Sequence, residues 1–430
     1  MLDFAHQPHA ASYYAASAND STRHPPLDGS IAVDVCVIGA GLTGLSAALN
    51  LAERGYSVAV LEASRVGWAA SGRNGGQLIG GYACEIDTFA AQMPPEDVRR
   101  IWDMGLESVE IVRERVAKHR IDCDLTFGYL TAANKPRDAA ALRAWCDEAA
   151  SRYDYHAYRY VEQHDLPRYV DSARYVGGLF DADSGHLHPL NYTLGLARAA
   201  REAGASIFEE TCALSFEKAN GRYRVVTERG EVAAGQVVLA CNAYLGRLAP
   251  RLARKIMPVG TYVIATEPLG AERARALMPA DAAICDSAFV LDYFRRSKDH
   301  RVLWGGKVSY SKLAPRDLAK AMRHDMLKTF PQLADAKVDY AWGGFVDITM
   351  NRAPHFGRLE PDVYFAQGFS GHGVNVTGLA GKLIAEAIDA QAARFDLFGK
   401  LRHRDFPGGD WLRTPALVLA MAWYRMKDAL

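Results

Sequence analysis

Residues 33–38 read Val-Asp-Val-Cys-Val-Ile, a nearly continuous apolar run rich in β-branched side chains. That pattern predicts a strand buried on both faces of a parallel sheet. A glycine-rich hexapeptide follows. Leu45, Ala48, Leu49 and Ala52 then recur at helical spacing, and Gly55 ends the helix. A second strand over 57–61 closes on Glu62, which completes a βαβ unit. Residues 1–31 are polar apart from Tyr13-Tyr14 and read as an irregular arm. Helical periodicity recurs over 95–119, 139–151 and 191–203. The runs 207–216, 223–228 and 237–241, with turns at Asn220-Gly221 and Arg229-Gly230, predict a β-meander. Residues 257–350 mix strands with a helix over 315–329. A strand over 363–367 and a helix over 378–393 follow. There is no fixed-period repeat and no low-complexity linker, so the domains are expected to interleave along the chain.

Composition narrows the classes. The 430 residues are 49% hydrophobic and 23% charged, with 50 Lys and Arg against 50 Asp and Glu. A disordered chain would be less apolar, and a nucleic-acid partner would call for a basic excess or run. The length predicts two or three domains at ~100–200 residues each. The seven cysteines form no CxxC pair, which argues against a disulfide framework or a zinc ribbon. With no apolar signal core in residues 1–30, reduced thiols point to the cytoplasm. The longest apolar run, 416–424, is shorter than the ~20 residues of a membrane span. With Arg413, Arg425 and Lys427 around it, it reads as a C-terminal helix docked on the protein body, the alternative being an amphipathic helix lying on a membrane surface; no integral membrane contact is expected. His186 and His188 share a strand face, but no further ligands converge on them. No metal site is expected, and His188 is placed at the start of the following helix.

The chemistry starts at Gly39-Ala40-Gly41-Leu42-Thr43-Gly44. In a strand–turn–helix setting these glycines allow a tight turn, close approach of a pyrophosphate, and helix–strand packing. The helix N-terminus offers free N–H groups to the phosphates. Glu62, followed by Ala63 and Ser64, stands where a carboxylate bonds a ribose hydroxyl. Two further runs choose between a flavin and a nicotinamide. One is Ser71-Gly72-Arg73-Asn74-Gly75-Gly76-Gln77. The other, 368–375, carries Gly371, His372, Gly373, Val374 and Asn375 at a second helix N-terminus. Such a terminus would stabilise the negative charge of a reduced flavin. Ala213, Cys241 and Asn242 complete the expected cofactor set.

Together with residues 12–19, 121–124, 185–191, 242–246, 328–333 and 406–409, these motifs resemble the D-amino-acid oxidase superfamily of FAD enzymes. The resemblance implies an α/β fold: a Rossmann-like FAD domain with a parallel sheet, interleaved with a substrate domain built on an antiparallel sheet flanked by helices. The FAD domain would comprise 32–85, 184–256 and 352–394, and the substrate domain 86–183 and 257–351. An arm over 1–31 and an extension over 395–430 complete the chain. It further implies amine oxidation: hydride transfer to flavin N5, imine hydrolysis to an aldehyde and ammonia, and reoxidation by O2 to give H2O2. The implied substrate is γ-glutamylputrescine or a related N-acylated diamine. The alternatives are a secondary amine or N-substituted amino acid, a non-catalytic flavoprotein subunit, and an NAD-dependent dehydrogenase. Oligomeric state is left open. Val346 stands where covalently flavinylated relatives carry a cysteine, so non-covalent FAD is expected. Lys307 matches a lysine that helps oxygen accept electrons, and His372 lies in the turn expected to face the flavin. A substrate carboxylate would fall to Arg295, Arg296 or Arg352. Tyr262, Tyr293 and Trp342 are expected to wall the pocket.

Overall fold

The computed structural model describes residues 4–288, 290–309 and 317–407. The predicted βαβ unit forms the centre of an eight-stranded sheet. Gly29–Ile38 pairs in parallel with Val58–Leu61 on one side and Gly230–Leu239 on the other. Ser206–Phe208 and Val363–Gln367 extend the parallel set. Arg222–Thr227, Ala213–Ala219 and His355–Glu360 add antiparallel strands. Parallel neighbours need crossovers, and the helix Leu42–Ala52 is the first. It packs with the helices Pro189–Glu202 and Gly373–Ile388 over the face of Val35, Val37 and Val60, while Tyr223, Val225 and Leu252 pack with Cys36, Ile38 and Leu61 on the other, so the apolar strand runs are buried on both sides. The Ser46 hydroxyl donates to the Gly378 carbonyl at 2.8 Å, which marks how closely two of these helices approach.

Nine strands form the second sheet, in the order Val338–Ile348, Met257–Thr266, Val302–Ser309, Tyr293–Arg296, Ala283–Asp286, Thr126–Ala133, Gly177–His186, Gln77–Leu78, with Tyr158–Glu162 also on Gly177–His186. Every pairing is antiparallel except Ala283–Asp286 with Thr126–Ala133. Alternate residues face opposite sides. Leu130, Ile264, Ile284, Phe294 and Trp304 pack on Met322 and Met326 of the helix Leu318–Thr329. Residues of the other parity, among them Tyr129, Thr131, Leu179, Asp181, Val259 and Thr261, face a cavity.

Several elements depart from expectation. The run 207–216 splits after Phe208, because Glu209 is buried there and accepts from the amides of Val66 and His24 and from Arg65. The helix expected from 378 starts at Gly373, within glycines that carry no apolar signal. The helix expected from 315 starts at Leu318, where the Asp317 side chain caps it; 315–316 lie outside the described residues. So do the 416–424 run and residues 408–409. The N-terminal arm is docked: Ser12 caps a short helix, Tyr13–Ala16, that buries both tyrosines, and Tyr14 packs on His188 and Trp342. Among the described residues, no helix is long and apolar enough to cross a membrane, and no group of His, Cys, Asp or Glu is placed to hold a metal ion.

Candidate active site

At the end of Gly29–Ile38 the chain turns so tightly that Gly39 takes φ +110°, and a Cβ there would lie 2.6 Å from the Ala240 carbonyl oxygen. The Ser71 hydroxyl accepts from the Leu42 amide at 2.9 Å and caps the helix. The next amides of the first turn have no intrahelical acceptor. Gly41, Leu42 and Thr43 line the cavity there, a donor set and an open backbone that fit a pyrophosphate. Glu62 accepts from the amides of Ala40 and Ser64, each at 2.9 Å. Ser64 is itself tied to the arm through the Phe4 carbonyl and the Gln7 amide, and Ala63 accepts from the His6 amide.

Burial pushes the Glu62 carboxyl up to about 7, against the two amide bonds that lower it. A ribose hydroxyl donating to this carboxylate would favour its ionised form, so dinucleotide binding should release a proton. Affinity is then expected to fall as pH drops below 7, by up to ~10-fold for each unit separating the free and bound pKa values. Fluorescence titration of FAD between pH 5.5 and 8 measures this. A Glu62→Gln variant should flatten the profile, and a flat profile in the unmodified protein would refute the coupling.

The second glycine-rich loop is anchored mainly by backbone carbonyls. Arg73 donates to Trp68 O at 2.6 Å and Gly343 O at 3.3 Å. Asn74 bonds the Ala70 and Ser71 carbonyls and accepts from the Gly76 amide. Gly72 packs on the Gly67 carbonyl and Leu190. Across the site, the buried Asp347 accepts from the amides of Gly368 and Phe369, and Ser370 N donates to its carbonyl. Burial pushes its carboxyl up to about 6, and these amides oppose the shift. His372 directly precedes the helix Gly373–Ile388. Burial, with Arg352 nearby, lowers its ring to about 4, so it is neutral near pH 7.

Both loops open onto one cavity of about 780 Å³. It brings together Gly41, Leu42, Thr43, Ser71, Asn74, Gly75, Gln77, Asn242, Tyr293, Lys307, Arg352, Gly371, His372, Gly373 and Val374 from the sequence reading. Gly39, Ala40, Gly44, Glu62, Ala63, Ser64, Gly72, Arg73 and Gly76 are not among the residues lining it; Ala40 and Ser64 bond Glu62, and Arg73 bonds the Trp68 carbonyl. Ala213 opens a strand away from it, and Cys241 donates to the Ile38 carbonyl at 3.4 Å. Four expected pocket residues are elsewhere. Arg295 is buried and spends its guanidinium on Gly75 O, Leu187 O, Arg296 O and Tyr14 Oη. Arg296 has the opposite strand parity and pairs with Asp281 at 3.1 Å. Tyr262 shares the parity of Ile264 and joins the core behind the sheet. The Trp342 indole donates to Arg73 O at 2.9 Å within packed rings. Asn375, expected at the cofactor, donates instead to Ser108 Oγ at 2.7 Å and ties two helices together.

Three buried acids on the cavity wall escaped the sequence reading: Asp181, Asp286 and Asp347. Arg174 pairs with Asp286 at 2.9 Å. The signal for Asp347 was a lone acid inside the apolar run 345–348. Lys307 is the extra residue of a β-bulge. Gly306 pairs with Tyr262 and Val308 with Thr261, which leaves Lys307 at φ +47° without a partner on that strand. Its ammonium meets Asp325 at 2.5 Å.

The family profile described as FAD dependent oxidoreductase (DAO) matches residues 34–387. A gamma-glutamylputrescine oxidoreductase of Escherichia coli is 43% identical, covering 98% of this chain and 99% of that protein. A probable oxidoreductase of Haemophilus influenzae is 42% identical, covering 100% and 99%. Among solved structures, glycine oxidase from Bacillus cereus superposes with a TM-score of 0.72 at 22% identity, covering 86% of this chain and 99% of that one.

Proposed function

Because this chain belongs to the DAO family of FAD-dependent oxidoreductases, we propose that it oxidises the primary amine of γ-glutamylputrescine or a close N-acylated diamine. The products are an aldehyde, ammonia and, with O2 as acceptor, H2O2. The observation that carries this reading is the 43% identity to a gamma-glutamylputrescine oxidoreductase across essentially both chains. FAD, when bound, supplies the acceptor for the hydride that leaves the carbon bearing nitrogen. The glycine-rich turn, the helix cap at Ser71 and Glu62 bind it; Val346, in place of a cysteine, leaves it unlinked to the chain there.

The protein's own groups prepare the amine. Hydride departs readily only from neutral nitrogen, and apolar walls such as Val259, Leu291 and Val346 disfavour the ammonium by desolvation. The neutral His372 ring adds no positive charge of its own beside it. The imine released then takes up water to give aldehyde and ammonia. Anaerobic mixing tests the assignment. γ-Glutamylputrescine should bleach the flavin absorbance, and putrescine, sarcosine and glycine should do so at least ~100-fold more slowly if the acyl end supplies binding energy. Bleaching by sarcosine or glycine but not by γ-glutamylputrescine would overturn the reading.

A further inference from the structure

Part of the cavity wall is an aromatic arm: Tyr158 stands opposite Asp181 on the neighbouring strand, Trp102 packs edge-on against Trp145, and Leu142 and Leu179 line the same cavity. The three buried acids on the wall differ in what faces their charge. Asp286 has Arg174. Asp347 has the amides that lead into a helix N-terminus. Asp181, 5% exposed, has only neutral donors: Tyr155 Oη at 2.7 Å, Ser184 Oγ at 2.5 Å and the Asp183 amide at 3.1 Å. Among the described residues it makes no ion pair. Of the cations on the wall, Lys307 stands four sheet positions from the strand of Asp181 and is already paired with Asp325, and Arg352 makes no ion pair with Asp181. Glu85, also on the wall, is exposed and of the same sign. A buried carboxylate without a countercharge is costly, and with about four acceptor positions it has one still to fill. Aromatic faces beside it add attraction for a cation.

We propose that this arm is a cation subsite, in which Asp181 receives the ammonium at the acyl end of the substrate beside Tyr158, Trp145 and Trp102. The proposal rests on the functional reading above and names what recognises the far end of that substrate. The substrate is long enough to reach beyond the loops: in γ-glutamylputrescine nine bonds separate the reacting carbon from the α-nitrogen, ~11 Å when extended, or about two strand spacings across the sheet that carries Asp181.

Two substrates that differ only in that ammonium, γ-glutamylputrescine and N-glutarylputrescine, test the proposal. In the unmodified enzyme the glutaryl compound should show a KM at least ~10-fold higher with kcat little changed, as expected for one lost charge-assisted contact. In Asp181→Asn the amide oxygen still accepts from Tyr155, and the bond to Ser184 reverses, the amide nitrogen donating to Oγ. The variant should raise KM for γ-glutamylputrescine alone, bring the two substrates together, and leave FAD content and kcat unchanged. Equal KM values in the unmodified enzyme would overturn the proposal, and so would an equal rise for both substrates in the variant. If Asp181→Asn fails to fold, the substrate pair on the unmodified enzyme decides. Oxidation of neither compound would overturn the functional reading itself, and this proposal with it.

Discussion

A Gly44→Ala variant is expected to purify without flavin. A Cβ at this position would sit 1.9 Å from the Gly39 carbonyl oxygen and 3.1 Å from Val37 Cγ1. Neither neighbour can swing aside: one is backbone of the turn, and the other belongs to the buried central strand. The helix Leu42–Ala52 would have to back away from the strand by an ångström or more. Overpacking of this kind costs ~1–3 kcal/mol of stability. The larger loss falls on binding, because the same helix end presents its amides to the phosphates, and each hydrogen bond to a charged group lost there costs ~1.5–3 kcal/mol. The ratio of flavin to protein absorbance, with melting temperature measured with and without added FAD, checks this. Gly399→Ala is the control. It too lies near a helix end, but no atom would come within 4 Å of its Cβ, and it should retain FAD. A flavin-replete Gly44→Ala with an unchanged melting temperature would show that the close approach is dispensable.

This glycine could be assigned from the sequence because its constraint is local. Strand, turn, helix and acid all fall within residues 33–62, and the three-residue spacing of the glycines follows from the turn itself. The antiparallel sheet was harder to read, since what a side chain there touches depends on strand parity and on segments far away in the chain. Arg295 illustrates this. It follows an aromatic strand as a carboxylate-binding arginine would, yet its partners are the carbonyls of Gly75 and Leu187, which only the folded chain brings near. Tyr262 is the pocket residue the sequence suggests, yet the register turns it to the core and puts its neighbour Thr261 on the cavity wall. Asp181 was passed over for the opposite reason. An acid within Gly177–His186 looks like a surface position, and its burial comes from Tyr155 and Ser184 closing over it. Pocket recognition in this fold is therefore written mostly in tertiary pairing, whereas the nucleotide turn is written in spacing.

The second large effect is expected at Lys307, where Lys307→Met should slow reoxidation by O2 by ~100-fold or more while leaving anaerobic reduction by the amine nearly unchanged. Oxygen acquires negative charge as it is reduced, and a cation held in place beside it stabilises that charge without reorganising. Lys307 has such a position. The bulge leaves it unpaired on the Met257–Thr266 side and at positive φ, a conformation of the sort that re-aims a side chain beside a site. Asp325 then anchors the ammonium at 2.5 Å from the helix Leu318–Thr329. Burial works to raise the Asp325 carboxyl, yet Lys307 and Lys328 hold it below its usual range, so the carboxylate is ionised. Asp325→Asn would keep the lysine's charge and remove only its anchor, so its reoxidation should slow by less than ~10-fold, and Lys307→Arg should recover part of the rate lost in Lys307→Met. Stopped-flow mixing of the substrate-reduced enzyme with oxygenated buffer separates the two half-reactions. An unchanged reoxidation rate in Lys307→Met would remove Lys307 from oxygen activation. Equal slowing of both half-reactions would instead assign the bulge to shaping the cavity.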